Sequence, residues 1–128
     1  GYGFTAPTPV LSPTLYVHAR LAAGTPLRVD ATHPERAVYV AQGSVEIGEA
    51  RFGVGTLLIL EPGVSAELRA FEASQVMLLG GAPLGERFIE WNFVSSSLER
   101  IERAKDDWRN QRFPKVPGDE LEFIPLPG

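Results

Sequence analysis

The stretch Glu35–Gly63, ERAVYVAQGSVEIGEARFGVGTLLILEPG, decides the fold. Ala37 to Ala41 is a short apolar run that stops at Gln42-Gly43. Val45 to Ile47 follows at once, and the spacing predicts that the two pair as a hairpin across that turn. Gly48-Glu49 makes the next turn, and Gly53-Val54-Gly55 breaks the chain again. Leu57 to Leu60 is continuously apolar and ends at Pro62-Gly63. Its short length and Gly/Pro flanks select strand over helix, and the unbroken run predicts burial on both faces. Short strands at regular spacing, cut by glycine turns, point to a small sandwich or barrel.

Working outward, Leu15 to Leu21 alternates. Leu15, Val17, Ala19 and Leu21 share one face and Tyr16, His18 and Arg20 the other, the pattern of a half-buried strand. Ala22-Ala23-Gly24 turns the chain, and Pro26 to Asp30 is a further short strand. The polar segment Ala31–Arg36, interrupted by Pro34, is expected to be a loop. After Gly63, Ser65–Phe71 and Gln75–Leu79 are expected strands, the second ending at Gly80-Gly81. This makes about eight strands before residue 82, a number that suits two facing antiparallel sheets. Residues 1–13 carry Gly1, Gly3, Pro7, Pro9 and Pro13 and are expected to form an extended arm.

From Ala82 the character changes. Phe88 to Val94 is an aromatic segment expected to lie extended against the barrel. Ser95-Ser96-Ser97 offers N-cap hydroxyls, and Ser96 with Glu99 has capping-box spacing. Leu98, Ile101, Ala104, Lys105 and Trp108 recur at helical spacing, which predicts one amphipathic helix over about 97–111. A proline-punctuated tail follows, with Leu121, Phe123 and Ile124 apolar enough to dock. The expected layout is thus an arm over 1–13, a β-barrel over 14–81, and an aromatic segment, helix and tail over 82–128 packing on the barrel.

A length of 128 residues makes one domain, and 44% apolar residues are ordinary for a globular chain. No apolar run reaches the roughly 18 residues of a membrane span. The net charge is −4, and no Lys/Arg cluster is long enough to follow a phosphate backbone, so neither direct nucleic-acid binding nor a membrane partner is expected. The absence of cysteine removes disulfides, thiolate metal sites and cysteine nucleophiles. With no signal-peptide pattern, a cytoplasmic location is the default expectation. The chain starts at Gly1 rather than Met, as a domain cut from a longer protein would.

The central stretch resembles the core of the cupin superfamily. Gly24 and Gly43 stand where the first cupin motif opens and closes, Gly55 opens the second, and Pro62-Gly63 stands for its Pro-x-Gly with one residue missing. The resemblance implies an all-β fold, the cupin double-stranded β-helix or jelly-roll barrel, with one C-terminal α-helix and an extended tail. The metal ligands of the motifs are not matched. Arg36 falls at the glutamate position, the His-x-His slots fall near Asp30 and Thr32, and the second-motif histidine falls near Ala66 or Glu67.

Gly80-Gly81-Ala82-Pro83-Leu84, the run Trp91–Ser97, the helix Glu99–Trp108, and Phe113 with Pro117-Gly118-Asp119-Glu120 resemble one cupin subfamily, the pirins, over nearly the whole chain. The similarity is to the C-terminal cupin of these two-cupin proteins. The resemblance implies that the metal, usually iron, and the quercetin dioxygenase activity attributed to pirins belong to the other half. It implies no metal here. The chain would then be either an excised C-terminal domain or a single-domain protein built on that half.

The only histidines are His18 and His33. With Glu35 or Glu61 they are the candidate ligands of an atypical site for iron or another divalent metal. If the alignment holds, Arg36 enters the barrel beside Val38 and Val40, and a buried guanidinium needs a partner. Glu67 is the candidate partner, and an anionic ligand is another. Arg36, Glu67 and Tyr39 are therefore the candidate ligand-binding residues, and no catalytic residue is identified. Trp91, Phe88, Phe93 and Trp108 read first as core and second as a wall for a flat ligand. Ser95–Ser97 lack a histidine to activate them and read as caps. The favoured function is a non-catalytic module of pirin C-terminal type, without a cofactor, that binds a small organic ligand or a partner. The alternatives are a small cupin oxidoreductase, a dioxygenase or isomerase, with an atypical metal site, and an organic-anion sensor using Arg36. Exposed sheet edges make a homo-oligomer, a dimer, the expected assembly.

Overall fold

The structure, a computed structural model, describes Gly3 and residues 6–127. Of the expected arm, positions 1, 2, 4 and 5 lie outside the described residues, as does residue 128 of the tail. The chain divides into two compact units, Gly1–Pro83 and Leu84–Gly128.

The first unit is a jelly roll of eight strands: β1 (Thr14–Leu21), β2 (Pro26–Val29), β3 (Glu35–Gln42), β4 (Ser44–Ile47), β5 (Ala50–Gly53), β6 (Leu57–Leu60), β7 (Ala66–Ala70) and β8 (Ser74–Gly81). They form two four-stranded sheets, β1-β8-β3-β6 and β2-β7-β4-β5, with every pair antiparallel. The period-2 alternation sends Leu15, Val38, Val40, Leu60, Val76 and Leu78 from the first sheet and Val29, Val45, Leu68 and Ala70 from the second into one shared core. Burying each such side chain contributes about 1.5–3 kcal/mol for the larger ones. Where β1 begins and β8 ends, Ala82 N–H donates to the Pro13 carbonyl at 3.1 Å, so the chain enters and leaves the eight-stranded barrel side by side.

The hairpin expected across Gln42-Gly43 does not form. β3 pairs with β6 and β8, whereas β4 pairs with β5 and β7, so Gly43 is a corner where the chain crosses from one sheet to the other. The reason is a close approach to a distant part of the chain. Gly43 has φ 75°, and a Cβ there would lie 2.4 Å from Ser74 Oγ and 2.5 Å from the Ala73 carbonyl. Ser74 Oγ in turn accepts from Ser44 N–H and donates toward the Ser44 and Glu72 carbonyls, which seals the corner. The hairpin of this region is β4–β5, turning at Gly48-Glu49.

The second unit holds β9 (Phe88–Glu90), β10 (Phe93–Ser95) and α1 (Leu98–Arg109). The aromatic segment is not extended throughout but folds into a two-stranded hairpin. Its two-residue loop is Trp91-Asn92, and Trp91 adopts φ 53° at a position where such turns favour glycine. The ring is held by edge contacts with Phe93 and Trp108, at 5.7 and 5.2 Å between centroids. α1 starts at the N-cap Ser97, whose Oγ accepts from Arg100 N–H. The expected helix therefore exists, one to two residues shorter at each end, and the cap is Ser97 rather than Ser96.

Candidate functional site

Arg36 is on β3, one residue into the strand, and the strand's alternation turns it inward with Val38 and Val40. It is 3% exposed. Its stem crosses β8 at Gly80, where a Cβ would stand 3.3 Å from Arg36 Cγ and 2.5 Å from the Glu35 carbonyl. Glycine at 80 thus leaves room for the arginine. The guanidinium then reaches two connections at one end of the barrel. Nη1 donates to the Asp30 carbonyl at 2.6 Å, and Nη2 donates to the carbonyls of Glu61 at 2.5 Å and Val64 at 3.0 Å. Nε is buried without a hydrogen-bond partner. No described carboxylate forms an ion pair with Arg36, and the hydrogen bonds that hold this interior cation all go to main-chain carbonyls. Charge-assisted bonds of this kind are about twice as strong as neutral ones and offset part of the burial cost.

The expected partner Glu67 is elsewhere. It lies opposite Arg28 on the β2–β7 pair and points outward, while its neighbours Leu68 and Ala70 face the core. Carbonyls take the place the carboxylate was expected to fill, because the β2–β3 connection and the β6–β7 turn bring them within reach. Tyr39 is also turned away from Arg36: it is on the outer face of β3, opposite Met77 and Leu57. Arg36, Tyr39 and Glu67 therefore share no common site.

Near Arg36, the Asp30 carboxylate accepts from Thr32 N–H at 3.0 Å. The Thr32 hydroxyl, and after it that backbone bond, hold its carboxyl below the usual range, with smaller contributions from His33 and Arg36. His18 is on the outer face of β1, where Nε2 donates to Gln75 Oε1 at 3.1 Å, and Gln75 donates on to Gln42. His33 is in the β2–β3 connection. Among the described residues no three of His, Asp and Glu converge as a metal site. The residues that line the Arg36 position do not fit a divalent cation, since a guanidinium already occupies the carbonyl oxygens there.

In the second unit Trp91, Phe93, Trp108, Phe113 and Phe123 form a continuous aromatic cluster. Trp108 Nε1–H donates to the Ile124 carbonyl at 2.8 Å, which ties the tail to the helix. A cavity of about 500 Å³ opens among Trp108, Phe113, Phe123, Val116 and Leu121. These aromatic residues pack on one another and three of them line a cavity, but the expectation that Trp91, Phe88, Phe93 and Trp108 are core is not met, since all four are only half-buried.

The model for the pirin C-terminal cupin domain matches residues 16–114. The chain belongs to the pirin family. It is 47% identical over 126 residues to a pirin-like protein of Caulobacter vibrioides, covering 98% of this chain and 44% of that one. It is 35% identical over 102 residues to a Pseudomonas aeruginosa protein provisionally named quercetin 2,3-dioxygenase, covering 74% of this chain and 32% of that one. A crystal structure of quercetin 2,3-dioxygenase from Acinetobacter baumannii superposes with a TM-score of 0.81 over 97% of this chain and 43% of that chain, at 22% identity, a likeness of fold. The chain spans less than half the length of these relatives. The pirin assignment accords with the jelly roll and the C-terminal helix. Among the described residues, no helix is long and apolar enough to cross a membrane.

Proposed function

We propose that this chain is a pirin C-terminal-type cupin that works without a metal centre, as a ligand-binding or interaction module. The observation that carries the reading is Arg36. Where the cupin motifs lead to a ligand-bearing cluster, this chain buries a cation that three carbonyls already engage. Arginine is permanently protonated and has no lone pair to offer a metal. Its positive charge also disfavours a second cation close by. The position acts as a fixed tie between the connections at one end of the barrel.

The second reading, a small cupin dioxygenase with an atypical metal site, draws support from the names carried by longer relatives. It requires His18 or His33 to bind metal. The test is metal content by mass spectrometry after the protein has been offered iron, manganese, nickel and zinc. Metal far below one per chain, unchanged in His18→Ala and His33→Ala, is the expected result. Near-stoichiometric metal that is lost in either variant would overturn the metal-free reading.

A further inference from the structure

The two sheets of the barrel differ in what they turn outward. On β2-β7-β4-β5 the outward residues include Arg28, Glu67, Arg69, Glu46 and Arg51, a charged surface that needs no cover. On β1-β8-β3-β6 the register aligns two outward rows across all four strands. One row is Tyr16, Leu79, Ala37 and Ile59, and the next is His18, Met77, Tyr39 and Leu57. Tyr16 is 67% exposed, Ile59 75%, Leu57 50% and Tyr39 37%. β6 is apolar on both faces, but the burial on both faces expected of its unbroken run is not met, because Leu57 and Ile59 turn outward and are uncovered. Together the two rows expose apolar side chains on the order of 500 Å², at the upper end of what monomers present in one patch.

We propose that this outer face docks onto the same face of a second copy of the chain. The proposal deepens the reading of the chain as an interaction module and rests on it. Two such faces would bury roughly 1,000 Å² of apolar surface before any rim is counted, which reaches the lower bound for a specific interface. Antiparallel sheets pack face to face at about 10 Å, the arrangement the inner face of this same sheet already uses inside the barrel. The charges fit a two-fold partner as well. Among the described residues within these four strands, the charged side chains on this face are Arg20 and Glu35, at opposite ends, on β1 and β3. Neither forms an ion pair with another described residue. A two-fold axis lying in the interface, across the line that joins them, sets Arg20 of each copy over Glu35 of the other. The row from His18 through Gln75 to Gln42 supplies a polar border at the Arg20 end.

The test is sedimentation equilibrium of the full chain at tens of micromolar. The wild type is expected to be a dimer. Ile59→Lys should weaken dimerisation on the order of 100-fold, because each copy would bring a charge into the centre. Arg20→Glu and Glu35→Arg should each weaken it about fivefold, and the double variant should restore it. The far-UV melting curve of each variant confirms folding, since all three positions are exposed. A wild-type monomer overturns the proposal and leaves the face to a different partner. A dimer indifferent to Ile59→Lys overturns it too, because the contact is then elsewhere. Metal content of the same samples separates the two readings. A dimer with one metal per chain sinks the metal-free function alone, and a metal-free monomer sinks the interface alone.

Discussion

Arg36 is a buried cation whose every observed partner is a carbonyl oxygen, and this makes its substitution more costly than a surface arginine's. Arg36→Met keeps much of the stem but leaves the Asp30, Glu61 and Val64 carbonyls without their donor. The expected loss is about 3 kcal/mol, read as a lower urea midpoint. Arg36→Lys keeps the charge but not the fork and should fall between the two; equal midpoints for all three proteins would remove the tie as a stabilising element. Asp30 gives a pH signature. Its folded pKa is lowered, chiefly by Thr32, so its contribution is complete above the unfolded value near pH 4 and is lost as pH falls through the folded one. The stability gap between wild type and Asp30→Asn, measured by denaturation at stepped pH, should therefore be present at neutral pH and close in acid. How much of this was legible in the sequence depends on what kind of group is involved. The inward turn of Arg36 follows from strand parity with Val38 and Val40. Its partners do not, because main-chain carbonyls leave no residue-type signal, and the carboxylate that the motif spacing offers, Glu67, faces outward.

At the scale of elements, local chemistry was the part easily read. The helix announces itself by its spacing and its serines, and Ser97→Ala should cost about 1 kcal/mol by removing the acceptor for Arg100 N–H. Thermal unfolding followed at the tryptophans, both in the unit with the helix, would report it. The strands were found near their expected places for the same reason, alternation being a local pattern. Which strand pairs with which was not legible. Gln42-Gly43 says that the chain turns but not into which sheet, and the answer lies with Ser74, about thirty residues away. Gly43→Ala tests that corner. A side chain there meets both the left-handed backbone and the Ala73 carbonyl, and a loss of at least about 2 kcal/mol in equilibrium unfolding is expected.

On the scale of the whole molecule, the barrel is built from pairings between distant parts of the chain. β8 lies between β1 and β3, so the sheet is completed by the last strand to be written. Topologies of this kind fold in milliseconds to seconds rather than microseconds. A chain ending at Ala73 lacks the strand that joins β1 to the rest, and its urea titration should show no cooperative transition. A cooperative transition with native-like β signal would mean that the other strands suffice. The sequence gives the strand count and hence the two-sheet architecture. The order β1-β8-β3-β6 emerges only from the register, since nothing in the residues of β1 names β8 as its neighbour.

The bond from Ala82 to Pro13 has a consequence for how such a barrel travels between proteins. A module whose two ends leave through one doorway can be spliced into a surface loop of an unrelated host without prying that host apart. The same doorway suits tandem duplication, because a second barrel added at either end starts beside the first and needs only a short tether. Genetic rearrangements that cut near residues 13 and 82 would therefore transplant a folded object rather than a fragment.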